Sequence, residues 1–130
     1  MITFKEIKKS YGQKNALKNL NLTINDGEIF GLIGHNGAGK TTTISILTSI
    51  IDPTSGQVFV DDDLLKENRD RIKRKIGYVP DSPDIFLNLT ANEYWHFLAN
   101  LYEVSDEQTE SRIKELSELF DIDQEIDNPI

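Results

Sequence analysis

Residues 34–42 read GHNGAGKTT, and directly before them stands the apolar run IFGLI at 29–33. Residues 34–41 satisfy the pattern G-x-x-x-x-G-K-[ST] in full, and each position has a chemical reason. A chain of phosphates needs several backbone amides converging on it, and only small or absent side chains allow that approach. Gly34, Gly37 and Gly39 supply the permissive backbone, with Asn36 and Ala38 between them. A helix starting at Lys40 adds the free amides of Lys40, Thr41 and Thr42 and the positive end of its dipole. Lys40 places a cation between the β- and γ-phosphates. Thr41 offers a hydroxyl to Mg²⁺, a hard ion that requires oxygen ligands. The stretch reads as a phosphate cradle.

The flanks are what such a cradle needs. IFGLI is nearly continuously apolar, which predicts a strand buried on both faces. KTTTISILTSI at 40–50 predicts a helix with Ile44, Leu47 and Ile51 along one face, ended by DPTSG at 52–56. Upstream, ITFKEI at 2–7 and LNLTI at 20–24 alternate apolar and polar residues, the signature of half-exposed strands, with a turn at NDGE 25–28. Downstream, QVFVD at 57–61 and IGYV at 76–79 predict strands, and LLKENRDRIKRK at 64–75 an exposed helix. Pro80 and Pro83 then enforce a loop.

From Thr90 the pattern turns helical. TANE at 90–93 and SDEQ at 105–108 both match a capping box. The first helix carries Tyr94, Trp95, Phe97, Leu98, Leu101 and Tyr102, too broad an apolar surface for one core-facing stripe. The second, about 106–120, places Ile113, Leu116, Leu119 and Phe120 on one face. The predicted class is α/β: residues 1–89 a β-rich part with the cradle, residues 90–130 the start of a helical subdomain.

Composition narrows the function. The 130 residues carry a net charge of −8 and contain no cysteine, which excludes a disulfide framework or thiolate metal site and fits a reducing interior. Residues 1–60 hold six basic and four acidic side chains, residues 61–130 eight basic and eighteen acidic. An acidic second half repels polyanions, so nucleic acid is not expected as a partner. No apolar run approaches the roughly 20 residues that span a bilayer, and MITFKEIKKSYG at 1–12 has no signal-peptide core.

GHNGAGKTT, with YGQKNALKNLNLTINDGEIFGLIG (11–34) before it and DPTSGQVFVDD (52–62) after it, closely resembles the ATP-binding subunits of ABC transporters. The resemblance runs over essentially the whole chain and implies the P-loop NTPase fold of the ABC-ATPase type. It implies that Tyr11 stacks on adenine. An aromatic face beside a turn glycine can pack a purine, and a tyrosine that merely ends a strand is the alternative. IGYVPDSPDIFLNLTANEYW (76–95) resembles the segment where the family has a glutamine that contacts Mg²⁺ and the attacking water; YVPD versions resemble a subgroup linked to exporters. Here Asp81 stands at the glutamine position. It either ligates Mg²⁺ through hard oxygen, as a tentative catalytic residue, or caps the loop through its own backbone.

The family's LSGGQ-like signature, its strand ending in Asp-Glu and its switch histidine are absent from the 130 residues. The resemblance therefore implies an N-terminal part of a nucleotide-binding domain that binds ATP and Mg²⁺ without turning ATP over. It implies a partner permease in the membrane, a second nucleotide-binding domain, and a cytoplasmic place on the inner face of the cell membrane. A soluble ABC-type ATPase of translation or DNA repair, or a nucleotide-binding fragment without turnover, is the alternative.

Overall fold

β1 (Ile2–Tyr11) and β2 (Lys14–Ile24) form an antiparallel hairpin across Gly12 and Gln13, with Tyr11 opposite Lys14 and Ile2 opposite Ile24. The computed structural model describes residues 1–80 and 88–129. β3 (Ser55–Val60) pairs antiparallel with the other edge of β1, and the short β4 (Asp63–Leu64) closes the sheet in the order β2-β1-β3-β4. Val58, Val60, Phe4 and Leu17 point to one face, where they meet Ile46 of α1 (Lys40–Leu47), Leu65, and Ile72 of α2 (Arg69–Lys73). This is the core of the first of two units, Met1–Tyr78.

Strict alternation from Phe4 would send Glu6 into that core. A bulge prevents it. Register shifts between Phe4 and Ile7 against β2, and between Lys5 and Lys8 against β3, accompany a left-handed Glu6 (φ 50). Ile7, fully buried, takes the inward place and Glu6 stays exposed. The bulged backbone is matched across the ladder by Gly56 (φ 93), where an added Cβ would lie 2.5 Å from the Glu6 carbonyl oxygen and 2.6 Å from that of Lys5. At the sheet's end, Asp61 accepts from the Met1 ammonium and from Lys75, which hold its carboxyl down at about 2.

Four expectations are corrected. Residues 29–33 are not a strand: the run has no regular element, and Ile29 and Ile33 are almost wholly exposed. Residues 76–79 are likewise irregular. Extended backbone counts as a strand only when a neighbour takes up its ladder, and no described residue pairs with either run. On α1 the buried positions are Thr43 and Ile46, with Leu47 half-buried and Ile44 turned out. Positions 43, 46 and 47 follow the i, i+3, i+4 stripe, and the hydroxyl of Thr43 is tolerated inside because it donates to the Gly39 carbonyl at 2.9 Å. The expected helix 64–75 shrinks to α2, because Asp63 and Leu64 pair with β3 instead.

Among its described residues, the second unit, Val79–Ile130, is built on two helices. α3 (Ala91–Leu101) opens with a complete capping box: the Glu93 amide donates to Thr90 Oγ1 at 3.1 Å and the Thr90 amide to Glu93 Oε2 at 2.9 Å. α4 (Asp106–Leu119) has half of one, the Gln108 amide donating to Ser105 Oγ at 3.4 Å. The broad apolar surface of α3 has no fully buried residue, and Phe97, Leu101 and Tyr102 are exposed. α4 packs on α3 and buries Thr109, Ile113 and Ser117, spaced four apart, whereas Leu116, Leu119 and Phe120 are exposed. Of the expected face only Ile113 is inside; small polar residues let the helices approach, and their hydroxyls bond back to their own helix. His96 Nε2 meets Glu110 Oε1 at 3.2 Å between the two helices.

Three helices end the same way. After α1 the Ser49 amide donates to the Ile46 carbonyl and the Ile50 amide to Ser45; Glu103 and Val104 repeat this on Asn100 and Ala99, and Asp121 and Ile122 on Glu118 and Ser117. Each is a Schellman motif whose left-handed residue is usually glycine, yet here φ is 58 at Ser49, 58 at Glu103 and 55 at Asp121. Left-handed backbone costs a side chain roughly 1–2 kcal/mol, offset in part by the greater unfolded-state freedom of glycine. Glu103→Gly is therefore expected to stabilise by about 0.5–1 kcal/mol. Asp121→Gly should gain less, because aspartate tolerates this region. Urea unfolding of the two variants checks the order; a loss in both contradicts it.

Candidate functional site

The cradle is built from a turn and a helix start. Residues 35–38 close a turn, the Ala38 amide donating to the His35 carbonyl at 3.1 Å. Gly37 (φ 85) and Gly39 (φ 91) are both left-handed, which is where glycine is required. Gly39 is the N-cap of α1 and no side chain caps the helix. The first amides of a helix have no acceptor within it, so those of Lys40, Thr41 and Thr42 are left for an outside acceptor. The first intrahelical bond is the Thr43 amide to the Gly39 carbonyl, 2.8 Å.

Lys40 reaches back over the loop. Its Nζ donates to the Gly34 carbonyl at 2.5 Å and to the His35 carbonyl at 3.0 Å. The ammonium is thus held above the turn, beside the free amides, by neutral acceptors that an anion can outbid. Thr41 is exposed and Thr42 half-buried. Asn36, Gly37 and Ala38 are exposed along the turn.

One packing partner was not visible in the sequence pattern. β2 presses on the cradle: a Cβ on Gly39 would lie 2.6 Å from Leu17 Cδ2 and 2.9 Å from the Ala16 carbonyl oxygen. Gly39 is therefore required both by its φ and by its neighbours. Alternation in NALKNLNLTI marks a strand but says nothing of what its start abuts. Between Asn15–Leu20 and the turn residues His35, Gly37 and Ala38 runs an open groove of about 480 Å³, with Lys18 on its wall.

Tyr11 ends β1 and pairs with Lys14 at the start of β2, the strand that braces Gly39. Its ring is half exposed and carries Lys9 Nζ 5.1 Å from its centroid. It does not line the groove. Asp81 lies outside the described residues. The structure thus brings Asn36 to Thr42 together and sets Tyr11 on the adjoining hairpin.

The family model described as ABC transporter matches residues 17–130. The chain belongs to the ABC transporter family.

Its relatives agree. The lipopolysaccharide export system ATP-binding protein LptB of Escherichia coli is 39% identical over 127 residues, covering 94% of this chain and 52% of LptB. The carnitine transport ATP-binding protein OpuCA of Listeria monocytogenes is 35% identical over 127 residues, covering 96% of this chain and 32% of that protein. The chain thus spans about half of one relative and about a third of the other. Among solved structures, the dimeric post-hydrolysis state of the ATP-binding cassette MJ0796 bound to ADP and Pi superposes with a TM-score of 0.86 at 27% identity, over 99% of this chain and 61% of that one. The fold is that of an ABC-type P-loop NTPase, in its N-terminal part. No described helix is long and apolar enough to cross a membrane.

Proposed function

We propose that this chain is the phosphate-holding part of an ABC transporter's ATP-binding subunit, which binds MgATP and, in the whole protein, couples hydrolysis to transport. The observation that carries the reading is the ammonium of Lys40 parked on two loop carbonyls beside the uncapped start of α1. A cation and several free amides around a left-handed glycine turn fit a di- or triphosphate. Lys40, the amides of Asn36–Thr42 and the aromatic face of Tyr11 would hold the nucleotide, and Thr41, with Asp81, would hold Mg²⁺. When bound, Mg²⁺ neutralises phosphate charge. The chain's own part is to orient: β2 fixes Gly39, Gly39 fixes the start of α1, and Lys40 turns its charge from carbonyl to phosphate oxygens.

The same reading gives the whole protein a membrane-spanning permease as partner, a second nucleotide-binding domain, and a peripheral place on the cytoplasmic face of the membrane. The names of LptB and OpuCA, each an ATP-binding protein of an export or transport system, support it, as does the dimeric state of MJ0796.

Calorimetric titration tests the reading. ATP and ADP with Mg²⁺ should bind, and adenosine should bind at least 100-fold more weakly because it offers nothing to the cradle. Equal affinity for adenosine would refute a phosphate site. Tyr11→Ala is expected to weaken ATP and ADP alike by about tenfold, the scale of one base stacked on an aromatic ring, with Tyr11→Phe close to wild type. Loss in both variants would move the role of Tyr11 from ring to hydroxyl.

A further inference from the structure

The end of β1 is fastened by the loop that follows α1. The Thr54 amide donates to the Lys8 carbonyl at 2.8 Å, and the Ser10 amide donates to Thr54 Oγ1 at 3.0 Å. Between these two bonds, Lys9 Nζ donates to the Asp52 carbonyl at 2.7 Å. Asp52 is in turn tied to α2, its carboxylate accepting from the Arg69 guanidinium. Residues 8, 9 and 10 are thus held one after another, and the next residue is Tyr11.

The ammonium of Lys9 has a second anchor. It lies over the Tyr11 ring, 5.1 Å from the centroid, within the range at which a cation is attracted to the negative face of an aromatic ring. A lysine head is ordinarily free to sample many rotamers. Here a carbonyl oxygen and a ring face share it. Lys9 is partly buried, whereas Tyr11 is half exposed, so the ring has one face against a cation and surface left for a flat partner.

We infer that Lys9 is a positioning residue for the nucleotide base: it clamps one face of Tyr11 so that the other is presented to the base. This role rests on Tyr11 being the residue that stacks the base, as proposed above. Lys9 does not meet the nucleotide itself. It restricts the ring before the ligand arrives, and ordering a side chain on binding otherwise costs affinity. Through Asp52 and Thr54, the ring's setting also depends on the loop that closes α1, the helix whose first residue is Lys40.

Calorimetric titration of the full chain with ADP and Mg²⁺, and separately with pyrophosphate, tests the role. Lys9→Met keeps the stem and removes the charge, and the two Thr54 bonds still hold the loop. It should weaken ADP about fivefold, the scale of one exposed cation–π contact, and leave pyrophosphate nearly unchanged. Lys9→Arg, which retains a cation and a donor, should bind ADP like wild type. Lys5→Met is the control: Lys5 Nζ lies 4.7 Å from the Phe59 centroid, so the change removes the same charge and a like contact from the same strand. ADP binding should be unchanged in it. In a Tyr11→Ala background, Lys9→Met should have no further effect on ADP. Equal losses for ADP and pyrophosphate would make Lys9 a general attractor of phosphate, and tighter ADP binding in Lys9→Met would make it a competitor for the ring. Either result overturns the positioning role, as does unchanged ADP binding in Lys9→Met when Tyr11→Ala weakens it. If Tyr11→Ala itself leaves ADP affinity intact, the stacking role of Tyr11 fails, and that of Lys9 with it.

Discussion

Lys40→Ala is expected to lower the affinity for MgATP about 100-fold, roughly 2.7 kcal/mol, while leaving the unfolding midpoint nearly unchanged. The asymmetry follows from where the ammonium sits. Its two protein partners, the Gly34 and His35 carbonyls, are on an exposed loop, and water replaces a donor there at little cost. Phosphate oxygens have no such substitute. Charge-assisted bonds from a cation are about twice as strong as neutral ones. The helix-start amides remain in the variant, so residual binding should persist. Calorimetry on wild type and variant gives the ratio, and affinities within twofold would remove Lys40 from the site.

Gly56→Ala should be the most damaging single methyl in the first unit, with an expected loss of about 3 kcal/mol or more. Two costs add. The backbone at φ 93 disfavours any side chain, and the new Cβ would lie 2.5–2.7 Å from backbone atoms of Lys5 and Glu6. Backbone in a paired strand cannot step aside as a flexible side chain can. The bulge at Glu6 would have to open, and it is the bulge that sends Ile7 into the core. Gly27→Ala is the control: it is also left-handed, φ 71, but its Cβ would meet nothing within 4 Å, so only the strain of about 1 kcal/mol applies. Equal losses at 27 and 56 would mean that the clash is relieved at no cost. Domain stabilities of about 5–15 kcal/mol leave room to measure both by urea unfolding.

The cradle was legible because phosphate chemistry constrains consecutive residues. Glycine, lysine and threonine at fixed spacing leave few geometries, and the structure shows the turn, the left-handed glycines and the helix start at Lys40. The hairpin was legible by alternation, and the capping box at Thr90 by its four residues alone. What sequence could not give depends on distant partners. The run 29–33 has strand composition, but a ladder needs a neighbour, which local pattern does not encode. The inward face of α4 was misread because Thr109 and Ser117 bond to their own helix and so pass as interior residues, while Leu116 and Leu119 look apolar yet are exposed. Glu6 was beyond alternation for the same reason: a one-residue bulge resets the phase, and its only sequence trace is Gly56 on another strand. The contact of Leu17 with Gly39 joins positions far apart in sequence and leaves no periodic signal.

The central claim is that residues 36–42 hold a nucleotide's phosphates, and amide-resolved NMR during an ADP titration tests it most directly. The amides of Gly37, Gly39, Lys40, Thr41 and Thr42 should show the largest shifts, saturating together with the Tyr11 ring signals, and pyrophosphate should move the amides but not the ring. If ADP shifts leave those amides still and fall elsewhere in the chain, the cradle does not hold the phosphates.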